Sequence, residues 1–175
     1  MKNLKALFNE CMSEVKAIGI EPGNIVDVSI NTRAKKRWGQ CKYSNGVYTI
    51  NISNRLLADE LDDMVAKNTI THEILHSCKG CMNHGPEWKA LADKVNNAYP
   101  GYNIKRTTSC EEKGIEAPPP RPFRYEVFCV DCGTSYKYKR ISRVVENPSR
   151  FCCGKCKGQL KAKSLVPGVE IYSAK

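Results

Sequence analysis

Residues 71–88 read THEILHSCKGCMNHGPEW, and His72-Glu73-Ile74-Leu75-His76 within them is an HExxH pattern. On a helix, positions four apart stand one turn above each other on the same face. Two neutral imidazoles at that spacing can grip one zinc ion, with Glu73 beside them as a base rather than a ligand. The chain has 3 histidines, and the third, His84, lies in the same stretch. A catalytic zinc takes three protein ligands and keeps one position open, so His84 is the expected third ligand. Gly80 and Gly85 bracket the link that returns it to the helix. Two histidines one turn apart can also be ordinary packing residues. The gathering of every histidine here, with a glutamate between the first two, favours the metal site. Cys78 and Cys81 offer a rival closure. A thiolate in the open position would leave Glu73 without a role, so both are expected to be loop residues.

Around the motif, Leu61, Met64, Val65, Ile70 and Leu75 predict a helix of about twenty residues, with Asp59 as its N-cap. Pro86 opens the next helix at a favoured position, whose buried stripe is Trp88, Leu91, Ala92 and Val95. Upstream, Leu4, Leu7, Phe8, Cys11, Val15 and Ile18 follow helical spacing over residues 2–18. Ile25–Ile30 alternates as a strand, and Val47–Ile52 returns after the Asn45-Gly46 turn. Residues 25–52 therefore predict a small antiparallel sheet. Between these strands Arg33, Lys35, Lys36 and Arg37 lead into Trp38. Such a run can hold a nucleic-acid backbone and stack a base, or it can be a solvated hairpin edge guarded by charge.

Toward the C-terminus, Ala117–Pro122 is proline-rich and predicts an extended linker within residues 111–121. The division is expected at 1–117 and 118–175. Beyond it, Cys129-x-x-Cys132 and Cys153-x-x-Cys156 stand twenty residues apart. That is four-cysteine zinc spacing, and four thiolates saturate the ion, so this site is structural. Gly133 and Gly158 are expected to turn the two knuckles, and Cys152 competes with Cys153 as a ligand. A segment this short needs the metal to complete its stability.

The chain has 175 residues and a formal charge of +10. Residues 121–175 carry 12 basic and 4 acidic residues, a net of +8, so this part is expected to face a polyanion, the alternative being a solvated basic surface. Lys137, Lys139, Arg140 and Arg143 are its candidate contacts. Ten cysteines, no apolar signal segment and no membrane-length run favour a reducing, cytoplasmic setting without a membrane partner.

Four stretches resemble the SprT-like family of zinc metallopeptidases: RAKKRWGQC at 33–41, YTINISNRLL at 48–57, HEILH with NHGPEW at 72–88, and FCCGKCKGQL at 151–160. The pairing of HExxH with HGPEW is the specific part, and the CKGC insert departs from the pattern. The resemblance implies His72, His76 and His84 as zinc ligands, Glu73 as general base and a compact helical protease core with a small sheet. It also implies work on proteins bound or crosslinked to DNA, in the nucleoid or the nucleus according to the cell. The expected protein is thus α+β, a zincin-like metalloprotease core followed by a zinc ribbon. It would use two Zn2+ ions per chain, one catalytic and one structural, with DNA, single-stranded by preference, and DNA-bound proteins as partners. The alternatives are a non-catalytic nucleic-acid-binding ribbon protein, or a general peptidase with no nucleic-acid role.

Overall fold

Helix α1 (Leu4–Ala17) begins where the Asn3 side chain accepts the Ala6 N–H at 3.1 Å. Its Leu4, Leu7, Cys11 and Val15 are buried, as the helical spacing demands. Three strands follow, β1 (Ile25–Asn31), β2 (Gly39–Ser44) and β3 (Val47–Ser53). This computed structural model describes residues 1–34 and 37–168. It resolves two compact units, Met1–Pro118 and Pro119–Lys175, each described by itself.

The sheet of the first unit has the order β1-β3-β2. β2 and β3 form the expected antiparallel hairpin, but β1 runs parallel to β3, so the sheet is mixed. The reason is burial. Ile50 and Ile52 of β3 are fully buried, which puts β3 in the centre and leaves β1 and β2 as edges. The chain after β1 must then cross to the far side of β3 before β2 begins.

Helix α2 (Asp63–His76) is shorter than the spacing suggested. Asn54–Leu57 is a separate 3-10 turn, and the cap is Asp62 rather than Asp59, because Asp62 Oδ1 accepts the Met64 N–H at 2.7 Å. Nearly the whole C-terminal half of α2 is buried, Glu73 and His76 included. Its polar members are satisfied from neighbouring elements. Lys67 reaches Glu14 of α1 at 2.7 Å and Glu10 at 2.9 Å, and Tyr102 donates to the Glu14 carboxylate. Helix α3 (Pro86–Ala98) starts on Pro86 and buries Trp88, Ala92 and Val95. The front of the expected linker belongs to this unit. Residues Glu111–Lys113 form a 3-10 turn, Lys113 is buried, and Ile115 packs against the core.

In the second unit β4 (Tyr125–Cys129) lies between β5 (Ser135–Tyr138) and β6 (Leu160–Ser164), antiparallel to both. Among its described residues the buried core is Tyr125, Val127, Cys129, Val145, Cys153 and Leu160. No helix among the described residues is long and apolar enough to cross a membrane.

Ile70 is fully buried, at the middle of α2. Ile70→Ala should cost about 3 kcal/mol of stability, read from urea unfolding followed by far-ultraviolet circular dichroism. A loss below about 1 kcal/mol would mean that α2 is not the centre of the core.

Candidate active site and metal centres

The last turn of α2 and the N-terminal approach to α3 bring the three histidines together. His72 and His76 share one face of α2, and His84 enters from the loop just before Pro86. Their Nε2 atoms lie 3.2 Å (His72–His76), 3.2 Å (His76–His84) and 2.9 Å (His72–His84) apart. A tetrahedral zinc at its usual bond length separates neighbouring nitrogens by roughly 3.3 Å, so the spacing fits. The donor chemistry fits as well. His76 Nδ1–H donates to the Cys81 carbonyl at 2.6 Å, and His72 Nδ1–H to the Lys105 carbonyl at 3.0 Å. Those bonds set the tautomer and leave both Nε2 lone pairs facing the same point, where only a cation relieves their repulsion. Burial, aided by the neighbouring imidazoles, lowers the pKa of His72 to about 3. His76 and His84 are lowered too, chiefly by burial. All three are thus held in the neutral form that ligates a metal. Trp88 packs against the cluster, its ring centroid 4.6 Å from His72, 5.5 Å from His76 and 4.6 Å from His84.

Neither cysteine of the CKGC insert joins this group among the described residues. Cys78 and Cys81 are buried thiols, and burial raises both of their pKa values. The insert acts through its backbone instead, since the carbonyl of Cys81 orients His76.

Glu73 is 7% exposed, and desolvation pushes its carboxyl up to about 7, against a Cys41 N–H bond and the nearby Arg37 charge. Gly39 of β2 packs directly on it. A Cβ there would sit 2.6 Å from Glu73 Oε1 and 2.7 Å from its Cγ. Gly39 is a residue that the sequence reading missed, because its partner lies on a distant helix. Glu73 and His72 line a cavity of about 280 Å³ with Arg37, Trp38, Thr69 and Lys113.

Tyr48, Arg55, Tyr99 and Tyr102, side chains that could stabilise an oxyanion, do not line that cavity. Tyr99 and Tyr102 donate to Glu14 behind α2, Arg55 donates to the Glu116 carbonyl, and Tyr48 packs against Tyr43. Of the basic run, Arg33 and Arg37 are exposed, and Lys35 and Lys36 lie outside the described residues. Trp38 is half-buried. Its indole N–H donates to the Thr108 carbonyl at 3.3 Å, and Arg55 and Lys113 lie against its ring.

In the second unit Cys129, Cys132, Cys153 and Cys156 bring their sulfurs within 4.8 Å of one another. Cys129–Cys156 is 3.5 Å and Cys132–Cys153 is 3.6 Å, against roughly 3.8 Å for thiolates around tetrahedral zinc. Cys152 points elsewhere and is exposed. Gly133 turns the first knuckle at φ +69°, but in the second the left-handed residue is Lys157. Gly158 is required for another reason: the Asp131 carboxylate lies where its Cβ would be, and accepts the Gln159 N–H at 2.8 Å. Lys137, Lys139, Arg140 and Arg143 are all exposed. Lys139 covers the Phe123 ring at 5.2 Å.

A mixed α+β unit with a three-histidine centre, joined in sequence to a small four-cysteine unit, defines a class of metal-binding protein. The SprT-like family model matches residues 4–108, and the chain belongs to that family. "Protein SprT-like" from Oceanobacillus iheyensis is 28% identical over 136 residues, covering 77% of this chain and 80% of that protein. "Germ cell nuclear acidic protein" from Homo sapiens is 30% identical over 101 residues, 54% of this chain. The chain spans 13% of the length of that human protein. Family membership supports a metalloprotease-type function, and both the histidine and the cysteine group suit zinc.

Gly39→Ala should displace the Glu73 carboxylate and lower about 100-fold any peptide hydrolysis that depends on it, without changing how much metal the histidine group takes up. A variant as active as the wild type would show that Glu73 tolerates the displacement.

Proposed function

We propose that this chain is a zinc-dependent metalloendopeptidase that acts on DNA-associated proteins, with a protease part at 1–117 and a zinc ribbon at 118–175. The observation that carries the reading is the convergence of three imidazole nitrogens, one of them on His72, which shares a cavity with the buried Glu73 carboxylate. His72, His76 and His84 would hold the catalytic zinc. Zinc held there supplies Lewis acidity for peptide hydrolysis. Glu73 takes the proton of the attacking water and returns it to the leaving amine, a task suited to a carboxylate whose pKa burial has brought near neutrality. The substrate backbone has a natural partner. β2 is an edge strand, and its Cys41 N–H is directed at Glu73, so an extended peptide can pair along that edge past the base.

Cys129, Cys132, Cys153 and Cys156 would hold the second, structural zinc and make the small second core stable. The exposed Lys137, Lys139, Arg140 and Arg143, within a segment of net charge +8, support contact with DNA. Arg33, Lys35, Lys36, Arg37 and Trp38 are the matching candidates in the protease part. Single-stranded DNA is the preferred form in this reading. The name of the human relative, a nuclear acidic protein, accords with a nuclear or nucleoid setting. Abundant free thiols accord with a reducing compartment.

Purified wild type should hold about two zinc ions, and His84→Ala about one. Glu73→Gln should keep both while losing at least about 100-fold in peptide cleavage. One zinc in wild type and His84→Ala alike would remove the catalytic centre from the reading. Binding to single-stranded DNA should weaken steeply between low and moderate salt. An interaction indifferent to salt would leave a peptidase without the nucleic-acid role.

A further inference from the structure

Among the described residues of the first unit two lysines are buried, and only one of them is neutralised. Lys67 has two carboxylates on its ammonium, from Glu10 and Glu14. Lys113 is 6% exposed, yet its Nζ donates to the Thr69 hydroxyl at 2.8 Å and lies 5.8 Å from the centre of the Trp38 ring. No carboxylate among the described residues forms an ion pair with it. The adjacent Glu112 is turned to Lys105 at 3.0 Å. Burial pulls the Lys113 ammonium down to about 8, the mark of a charge short of a counter-ion. Burying an ammonium without a partner is costly, and a ligand that brings the opposite charge repays it.

Lys113 lines the cavity that Glu73 and His72 share. Arg37, Lys105 and Arg106 line it too, and Glu73 is its one carboxylate among the described lining residues. We propose that this cavity is a subsite for a carboxylate of the peptide substrate, with Lys113 as its counter-charge. The proposal rests on the peptidase reading above and names the substrate feature that the site selects. Thr69 lies one helical turn before Glu73, so the ammonium stands about 5–6 Å along α2 from the base. An extended chain advances roughly 3.3 Å per residue, so the carboxylate belongs to a residue one or two places from the scissile bond. An ammonium that is only 6% exposed is reached by a group that ends at it rather than one that runs past it. A side-chain or C-terminal carboxylate is such a group. A phosphodiester, continued by chain on both sides, needs an open groove.

The experiment uses the full zinc-loaded chain and three fluorescent peptides of one sequence. The first carries an internal Glu beside the cleavage site and a C-terminal amide. The second carries Gln and the amide, and the third Gln and a free C-terminus. Binding by fluorescence anisotropy and kcat/KM are both read, in wild type, Lys113→Met and Lys113→Arg. The expected result is about tenfold preference for a carboxylate peptide over the neutral one. That preference should vanish in Lys113→Met and return in Lys113→Arg, and whichever carboxylate peptide is favoured identifies the source. Equal treatment of all three peptides by the wild type overturns the subsite, whatever the variants do, and leaves the peptidase standing. Preferential binding without cleavage of any peptide supports the subsite and removes the peptidase. If Lys113→Met keeps the preference at wild-type zinc content, another cation is responsible and the assignment falls. Loss of short single-stranded DNA binding in Lys113→Met, with peptide selectivity intact, overturns it in favour of a phosphate site.

Discussion

Three imidazole nitrogens directed at one point, none more than 3.2 Å from the next and two of them fixed as bare lone pairs, crowd one another. The rest of the first unit is arranged to hold them there. The backbone carbonyls of Cys81 and Lys105 take the Nδ1 protons, which removes the tautomers that would relax the repulsion. Trp88 closes the cluster with hydrocarbon and ring surface. Helix α2, which supplies two of the three rings, is itself pinned by α1 through the Lys67 ion pairs. Such a centre is stable when a cation occupies it, so metal binding and the integrity of the core are coupled.

Helix α2 also explains why so much polarity is tolerated inside a small domain. Lys67, Thr69, Thr71, Glu73 and His76 are all buried on it. Lys67 and Thr71 face α1 and Tyr102, where every donor finds an acceptor and the contribution is structural. Thr69 and Glu73 face the cavity, where Lys113 and the Cys41 N–H are the partners. One helix thus separates a charge-neutralised polar network on one side from a face whose buried ammonium has a hydroxyl partner and no ion-paired carboxylate among the described residues. A buried charge without its counter-ion marks that face as the candidate binding face.

Much of this arrangement could be read in the chain because metal-ligand spacing is local. His72 and His76 are one turn apart, and each Cys-x-x-Cys pair forms its knuckle within a few residues. The family resemblance and the α+β class followed from the same stretches. Parts that depend on distant partners were not legible. Alternation in β1 says nothing about which strand lies beside it, so the parallel pairing with β3 was missed. Asp59 and Asp62 are both aspartates before an apolar run, and only the reach of the side chain to Met64 N–H chooses between them. Gly39 has no local peculiarity; its meaning is the carboxylate packed on it from α2. Lys113 lies beside a proline-rich linker and has the look of a solvated charge until the fold buries it.

The ring of imidazoles around Trp88 has an optical consequence. The chain has 2 tryptophans, and this one is 2% exposed with all three histidines against it. Any cation arriving at the cluster changes the electric field across that indole, while Trp38 stands apart against Arg55 and Lys113. The protein therefore carries its own emission gauge of metal occupancy, readable without a label and without turnover.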